Sequence, residues 1–137
     1  CFQETWSLDP LYMNGYITIH QPAIRSVYGR AKGGLSIHIL VSTNIKIYKS
    51  VVGSPYYQLI GIVLPDKRHL VLINFYNNIP LSDQCTVLNN MEKDLGCFLK
   101  THGRNISLLW VGDFNVHPCS LQSLDCCAVT DVGGEFG

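Results

Sequence analysis

The chain has 137 residues, of which 47% are hydrophobic and 15% are charged. This balance excludes a disordered chain, and the length suits one domain with a hydrophobic core. Ten basic and ten acidic residues cancel, so the net charge alone indicates no class of partner. No apolar stretch has the length of a membrane span, and the six irregularly spaced cysteines do not form the pattern of a disulfide-rich secreted protein.

The charged residues are unevenly placed along the chain. Five basic residues and no acidic one lie between Pro10 and Pro65, and four acidic residues and no basic one lie between Asn105 and Gly137. A basic region beside an acidic one is typical of a site that binds phosphate and a metal ion. The simpler alternative is a solvated surface with uneven charge.

Strand patterns occupy most of the first half of the chain. Residues 1–3 are apolar enough to be the tail of a core strand, which would present Glu4 at its end. Alternating or continuous apolar residues predict further strands at 34–42, 45–52, 56–65 and 69–76. The last two are separated by residues 66–68, a length that suits a hairpin loop.

The period of the apolar residues changes after Ser82, which is a candidate N-cap for a helix. The apolar residues at three- and four-residue spacing are Cys85, Leu88, Met91, Leu95, Phe98 and Leu99. A short apolar run ending at Gly112 then predicts a strand that is covered on both faces. Strands, a helix and a further core strand together predict an α/β fold with mixed strand directions.

Polar residues follow directly on two of these strands. In an extended chain Asp113 and Asn115 share one face and Phe114 turns to the other, at the sheet edge where ligands usually bind. Glu4 stands at a strand end in the same way, and carboxylate and amide oxygens suit a hard divalent cation, Mg²⁺ above all. The alternatives are a surface glutamate and a turn aspartate.

Two further features are candidates for binding phosphate. Tyr76 closes an apolar strand, and its phenol could reach a phosphate oxygen or a metal-bound water, although a core or rim role is the alternative. The stretch GRAKGG, with Arg30 and Lys32, is a cationic loop that could lie along a nucleic-acid backbone. It lacks the spacing of a nucleotide-binding P-loop.

Four motifs in this order, QETW, GRAKGGLSI, NFYNNIP and GDFN, resemble the endonuclease/exonuclease/phosphatase superfamily. The closest resemblance is to the apurinic-type endonuclease domain of LINE-type non-LTR retrotransposons, and it extends from the first residue to about Pro118. It implies a four-layer α/β sandwich, in which two packed mixed sheets are flanked by helices. Residues 1–137 would form part of such a domain, incomplete at both ends, because further metal-site residues and the terminal Asp-His pair of the family are expected outside them.

The resemblance also implies roles for four residues. Glu4 would be a ligand of Mg²⁺, with Mn²⁺ as an alternative, and Tyr76 would be the active-site tyrosine. Asp113 would align or deprotonate the attacking water, and Asn115 would orient the scissile phosphate. Arg30 and Lys32 correspond only to a basic neighbourhood.

The activity that the resemblance implies is Mg²⁺-dependent nicking of DNA in the nucleus, beside a reverse transcriptase region of the parent polyprotein. Two alternatives remain open from the sequence. One is a phosphatase or phosphodiesterase of the same superfamily, and the other is an inactive, truncated relic with at most weak nucleic-acid binding.

Overall fold

The computed structural model describes residues 1–52, 54–102 and 106–115, which contain nine strands, one α-helix and a short 3-10 turn. The strands are β1 (Phe2–Gln3), β2 (Tyr16–Gln21), β3 (Ile24–Arg25), β4 (Ala31–Lys32), β5 (Leu35–Leu40), β6 (Lys46–Val51), β7 (Tyr57–Val63), β8 (His69–Tyr76) and β9 (Ile106–Asp113). The helix is α1 (Gln84–His102), and the 3-10 turn is Val41–Thr43. The predicted strands are confirmed within two residues, and β8 has the predicted bounds.

A three-stranded antiparallel sheet forms the first layer, in the order β1-β5-β2. Its inner face carries Ile37 and Ile39 of β5, which pack against Ile60 and Ile62 of β7. All four side chains are at most 6% exposed. Burial of these β-branched residues between two sheets is the main contact that holds the first layer to the second.

A four-stranded mixed sheet forms the second layer, in the order β6-β7-β8-β9. Neighbouring strands are antiparallel except for β8 and β9, which are parallel and are joined through α1. A parallel pair needs such a crossover, because a tight turn can only join antiparallel strands. The helix covers the sheet face opposite to the first layer, where Met91 and Phe98 pack against Val71 and Ile73. The mixed α/β class is confirmed.

The helix differs from its prediction in its start and in its buried face. It begins at Gln84, and the N–H of Val87 donates to the carbonyl of Asp83, so Asp83 rather than Ser82 holds the N-cap position. The helix residues in the core are Val87, Met91, Leu95 and Phe98. Cys85, Leu88 and Leu99 are exposed. The spacing of the apolar residues is compatible with burial of either of two sides of the helix. Packing against β7 and β8 determines which side is buried.

Strand β9 is not covered on both faces in the described part of the chain, contrary to the prediction. Leu108, Leu109 and Trp110 are 44%, 46% and 41% exposed. The strand lies at the end of its sheet and pairs with β8 alone among the described strands. An apolar run therefore predicted the strand correctly and its burial wrongly.

Candidate active site

Tyr76 and Asp113 meet at the carboxyl ends of β8 and β9. The parallel register pairs these two residues directly, so their side chains leave the same face of the sheet. The ladder continues for one more step, where the N–H of Asn77 donates to the carbonyl of Asp113 over 2.8 Å. The strand-end position predicted for both residues is thus confirmed.

Gly112 makes this close pairing of the two strand ends possible. Its φ angle is +146°, and an added Cβ would overlap with the backbone carbonyl of Phe75 on β8. Any other residue would clash here through its side chain and would rarely adopt this φ angle, so this approach requires glycine. The glycine of the GDFN motif therefore has a structural role, which is to bring Asp113 level with Tyr76.

Glu4 reaches the same place from the other sheet. It follows β1 directly, and its carboxylate accepts a hydrogen bond from the phenol of Tyr76, 72 positions away in the sequence. Glu4 itself is exposed, whereas Tyr76 is 7% exposed. Two of the residues predicted to share a site are therefore in direct contact, and Asp113 stands beside one of them.

A network of side-chain amides lies behind this contact and fastens β1 to the second sheet. The Nε2 of Gln3 donates to the Oδ1 of Asn74, and the Nδ2 of Asn74 donates to the carbonyl of Phe2 over 3.2 Å and to the Oε1 of Gln58 over 3.1 Å. The Nε2 of Gln58 donates in turn to the carbonyl of Ile19. Asn74 and Gln58 are fully buried. Because Gln3 precedes Glu4, these bonds set the position of the carboxylate.

The contact with Glu4 changes the acidity of the phenol. Burial, the hydrogen bond to Glu4 and the negative charge of Glu4 raise the pKa of Tyr76 to about 12, and the charge of Asp113 acts in the same direction. A hydrogen bond from the side chain of Asn78 partly opposes the shift. The phenol is therefore a protonated donor throughout the neutral pH range.

Asp113 and Asn115 are joined in a turn and do not share an extended face, contrary to the prediction. The strand ends at Asp113, Asn115 has a φ angle of +44°, and its N–H donates to the Oδ1 of Asp113 over 3.0 Å. The side-chain amide of Asn115 donates to the carbonyl of Asn77, and that of Asn77 donates to the carbonyl of Phe114. Asparagine tolerates the left-handed conformation, and the Asp113 carboxylate accepts the N–H two residues further on, which explains the turn.

The cationic loop borders this group of residues. Strands β3 and β4 form a hairpin, and a cavity of about 610 Å³ lies between its base and the segment after β1. Residues that line the cavity include Glu4, Trp6, Arg30, Lys32 and Asn78. A second cavity of about 380 Å³ shares Lys32 and Asn78 with it and reaches Tyr76. Trp6 and Asn78 lie in the motifs QETW and NFYNNIP, but the sequence indicated no role for either side chain.

The donor set suits a magnesium ion held by few protein ligands. Within the described residues there is no group of three or more His, Cys, Asp or Glu side chains that could hold a metal ion. Glu4, the residue predicted as a ligand, offers one exposed carboxylate beside a phenol. Mg²⁺ is commonly bound through one or two carboxylates, with waters and substrate phosphate completing its shell.

The chain was also compared with known proteins. No family model matches it, and no curated protein matches it. Its one described helix is too short or too polar to cross a membrane. Membership of the superfamily therefore stays a prediction that depends on the four motifs.

Proposed function

We propose that this chain is part of a Mg²⁺-dependent endonuclease that nicks DNA, of the type found in LINE-type retrotransposons. The observation that carries the proposal is the hydrogen bond between Tyr76 and Glu4, with Asp113 in register beside Tyr76. Three side chains from distant parts of the sequence meet at one strand edge, in the combination that the superfamily motifs imply. If Glu4 were only a surface residue and Asp113 only a turn residue, they would not be expected to lie beside the same tyrosine.

Each residue has a role in the proposed hydrolysis. A metal ion on Glu4, Mg²⁺ or Mn²⁺, would supply positive charge to the phosphate and the leaving oxygen. Asp113 would align the attacking water or accept its proton, so that a new P–O bond forms as the bond to the leaving oxygen breaks. On substrate binding, the phenol of Tyr76 would exchange its hydrogen bond to Glu4 for one to a phosphate oxygen, and the amide of Asn115 would orient the same group.

The proposal extends to the parent protein. The packing of the two sheets and the helix on the outer face support the proposed α/β sandwich, of which they would form three layers. A neighbouring reverse transcriptase region, action in the nucleus and DNA as the substrate follow from the resemblance to retrotransposon endonucleases. They are parts of the proposal and not separate observations.

The test is nicking of supercoiled plasmid by folded protein in Mg²⁺, in Mn²⁺ and in EDTA. Asp113→Ala should lower the nicking rate by about 100-fold or more, which is the usual contribution of a positioned acid or base. Asp66→Ala is a matched control, because Asp66 pairs with Arg68 in an exposed hairpin loop away from the site. Nicking that persists in EDTA, or that survives Asp113→Ala, would contradict the proposal.

A second candidate function is nucleic-acid binding without cleavage. It is favoured by the turn in which Asp113 and Asn115 use their polar groups on the backbone and on each other. Folded protein that binds DNA but does not nick it in Mg²⁺ or Mn²⁺ would support this candidate. Release of phosphate from inositol phosphates in the same buffers would instead support the phosphatase alternative.

A further inference from the structure

We infer that Trp6 and the base of the β3–β4 hairpin form a subsite that stacks one unpaired base of a nucleic acid and holds its phosphate. The inference deepens the proposed function, because it names the form of substrate that the site beside Tyr76 accepts. That form is a single strand, or a duplex opened at the site. The subsite is the 610 Å³ cavity, whose volume lies within the range of about 300–1,000 Å³ that is usual for small-molecule sites.

The backbone of Trp6 is fixed while its indole is left uncovered. Its N–H donates to the carbonyl of Gly33 over 2.9 Å, and the N–H of Thr5 donates to the carbonyl of Gly34 over 3.1 Å. Gly34 is required for this contact, since an added Cβ would overlap with the hydroxyl of Thr5. The indole is nevertheless 64% exposed. A large aromatic ring that is anchored at its backbone and exposed at its face is suited to stacking.

Positive charge lies along the same cavity. Arg30 and Lys32 line it together with Trp6, and both side chains are exposed. Neither side chain forms an ion pair with an acidic side chain of the described residues. The ion pair present among these residues joins Arg68 to Asp66. Two cations beside one aromatic face match the phosphate and the base of a single nucleotide.

The arrangement selects an unpaired base over a paired one. Inside a duplex both faces of a base are covered by its neighbours, so an indole can stack on it only after the stack has opened. The indole of Trp6 lies in the cavity that also contains Glu4. A base held on Trp6 would therefore place the adjoining phosphate towards the strand edge where Tyr76 and Asp113 stand.

Equilibrium binding in EDTA tests the inference without cleavage. Three fluorescein-labelled probes are compared: a single strand, a fully paired duplex, and the same duplex with a central mismatched bubble. Trp6→Ala should weaken binding of the single strand and the bubble by about 5- to 150-fold, which is the usual effect of losing one stacked base. Trp6→Phe should restore most of this loss, and binding of the paired duplex should change little.

Two controls separate stacking from charge and from folding. Tyr12→Ala removes another exposed aromatic ring, 84% exposed, from a different cavity and should leave all three affinities unchanged. Lys32→Ala should weaken binding of every probe and lower its salt dependence. In a Trp110→Phe background Trp6 is the single tryptophan, so its fluorescence should be quenched by the single strand and the bubble and not by the paired duplex.

The outcomes distinguish this inference from the proposed function. Equal loss of affinity for paired and unpaired probes in Trp6→Ala, no loss at all, or no binding of any probe would overturn the subsite. Nicking that requires Mg²⁺ and Asp113 could still be found in that case, and the proposed function would stand. Preferential binding of unpaired probes through Trp6, without any nicking, would support the subsite together with the second candidate function, which is binding without cleavage.

Discussion

The two faces of the β7–β8 strand pair are built differently, although the same two strands supply both. The face towards α1 is mainly apolar. The phenol of Tyr57 donates to Asp94 of the helix over 2.8 Å at one end, and Val71 and Ile73 pack against Phe98 along the rest. Contacts of this kind are non-directional, and their contribution grows with the buried area. Apart from the hydrogen bond of Tyr57, this face stabilises the fold through its buried apolar area.

The face towards the first sheet changes character along the strands. At one end Ile60 and Ile62 pack against β5. At the other end Gln58, Asn74 and Tyr76 replace apolar residues, and each of them hydrogen-bonds to the first sheet or to the segment that follows β1. Directional bonds add less stability than apolar area, but they specify position. The candidate site lies at this polar end.

The largest expected effect is on the apolar face. Phe98→Ala should lower the free energy of unfolding by about 3–5 kcal/mol, because it removes a fully buried aromatic ring and leaves a cavity under α1. Urea unfolding followed by circular dichroism measures this change. The pKa of the Tyr76 phenol should stay the same in the variant as long as it is folded. A shift of that pKa would mean that the two faces are not independent.

Asn74→Ala should have a smaller effect on stability and a larger effect on the site. It leaves the buried amide of Gln58 without one partner, which costs about 1–3 kcal/mol of unfolding free energy. It also releases Gln3, so the carboxylate of Glu4 should lose its fixed position and the raised pKa of Tyr76 should fall towards its ordinary value of 10. Absorbance titration at 295 nm, with Tyr76→Phe as the reference, measures the phenol.

Leu72→Ala is the matched control for this experiment. Leu72 lies two residues before Asn74 on the same face of β8 and packs against the buried isoleucines of β5 and β7. Its removal should destabilise the protein and leave the phenol unchanged. An equal fall of the Tyr76 pKa in both variants would show that general loosening, and not the amide network, is responsible.

The hydrogen bond between Tyr76 and Glu4 gives the next effect. Tyr76→Phe should lower the free energy of unfolding by about 0.5–1.5 kcal/mol at neutral pH. Because the folded-state pKa of Tyr76 is raised to about 12, its stabilising contribution is fully present below pH 10 and is lost as the pH rises towards 12. The stability difference between wild type and Tyr76→Phe should therefore shrink between about pH 10 and about pH 12.

Glu4→Gln checks the cause of this pH dependence. Loss of the negative charge should lower the pKa of Tyr76 towards 10 while a hydrogen bond remains available to the amide oxygen. The 295 nm titration of the variant should then move to lower pH. An unchanged titration would mean that burial alone raises the pKa.

The smallest effect is expected on the outer surface of α1. Leu88 is 45% exposed, although its spacing predicted a buried position. Leu88→Ala should change the free energy of unfolding by less than about 0.5 kcal/mol, as surface substitutions usually do. Met91→Ala, on the buried side, should cost about 2–5 kcal/mol in the same urea assay. Equal losses of unfolding free energy in the two variants would show that Leu88 is buried, as its spacing predicted.

Much of the fold could be predicted from the sequence where the pattern is local. Strand β8 has its predicted bounds because an apolar run between a hairpin loop and a proline-containing loop leaves few alternatives. The contact between Glu4 and Tyr76 could not be predicted from any local pattern, because 72 positions separate the two residues. The four motifs grouped these residues, and the amide network provides the physical reason for their contact.

Other features depended on tertiary contacts that no spacing reveals. The helix could bury either of two overlapping apolar faces, and only its packing on β7 and β8 decides between them. The turn at Asn115 breaks the two-residue alternation that the prediction assumed. The subsite at Trp6 depends on a hairpin, β3–β4, whose strands are two residues each and give no periodic signal.

Glu4 stands in a backbone conformation, with a φ angle of +50°, that glycine or asparagine would adopt more easily. Folding by itself would thus not retain a glutamate at this position. In homologous proteins that are released from selection on the site, we expect Glu4 to be replaced early, and Gly to be the favoured replacement. In a lineage that still requires its carboxylate, the glutamate should persist although the backbone disfavours it. The residues found at this position would thus show whether natural selection acts on the proposed chemistry.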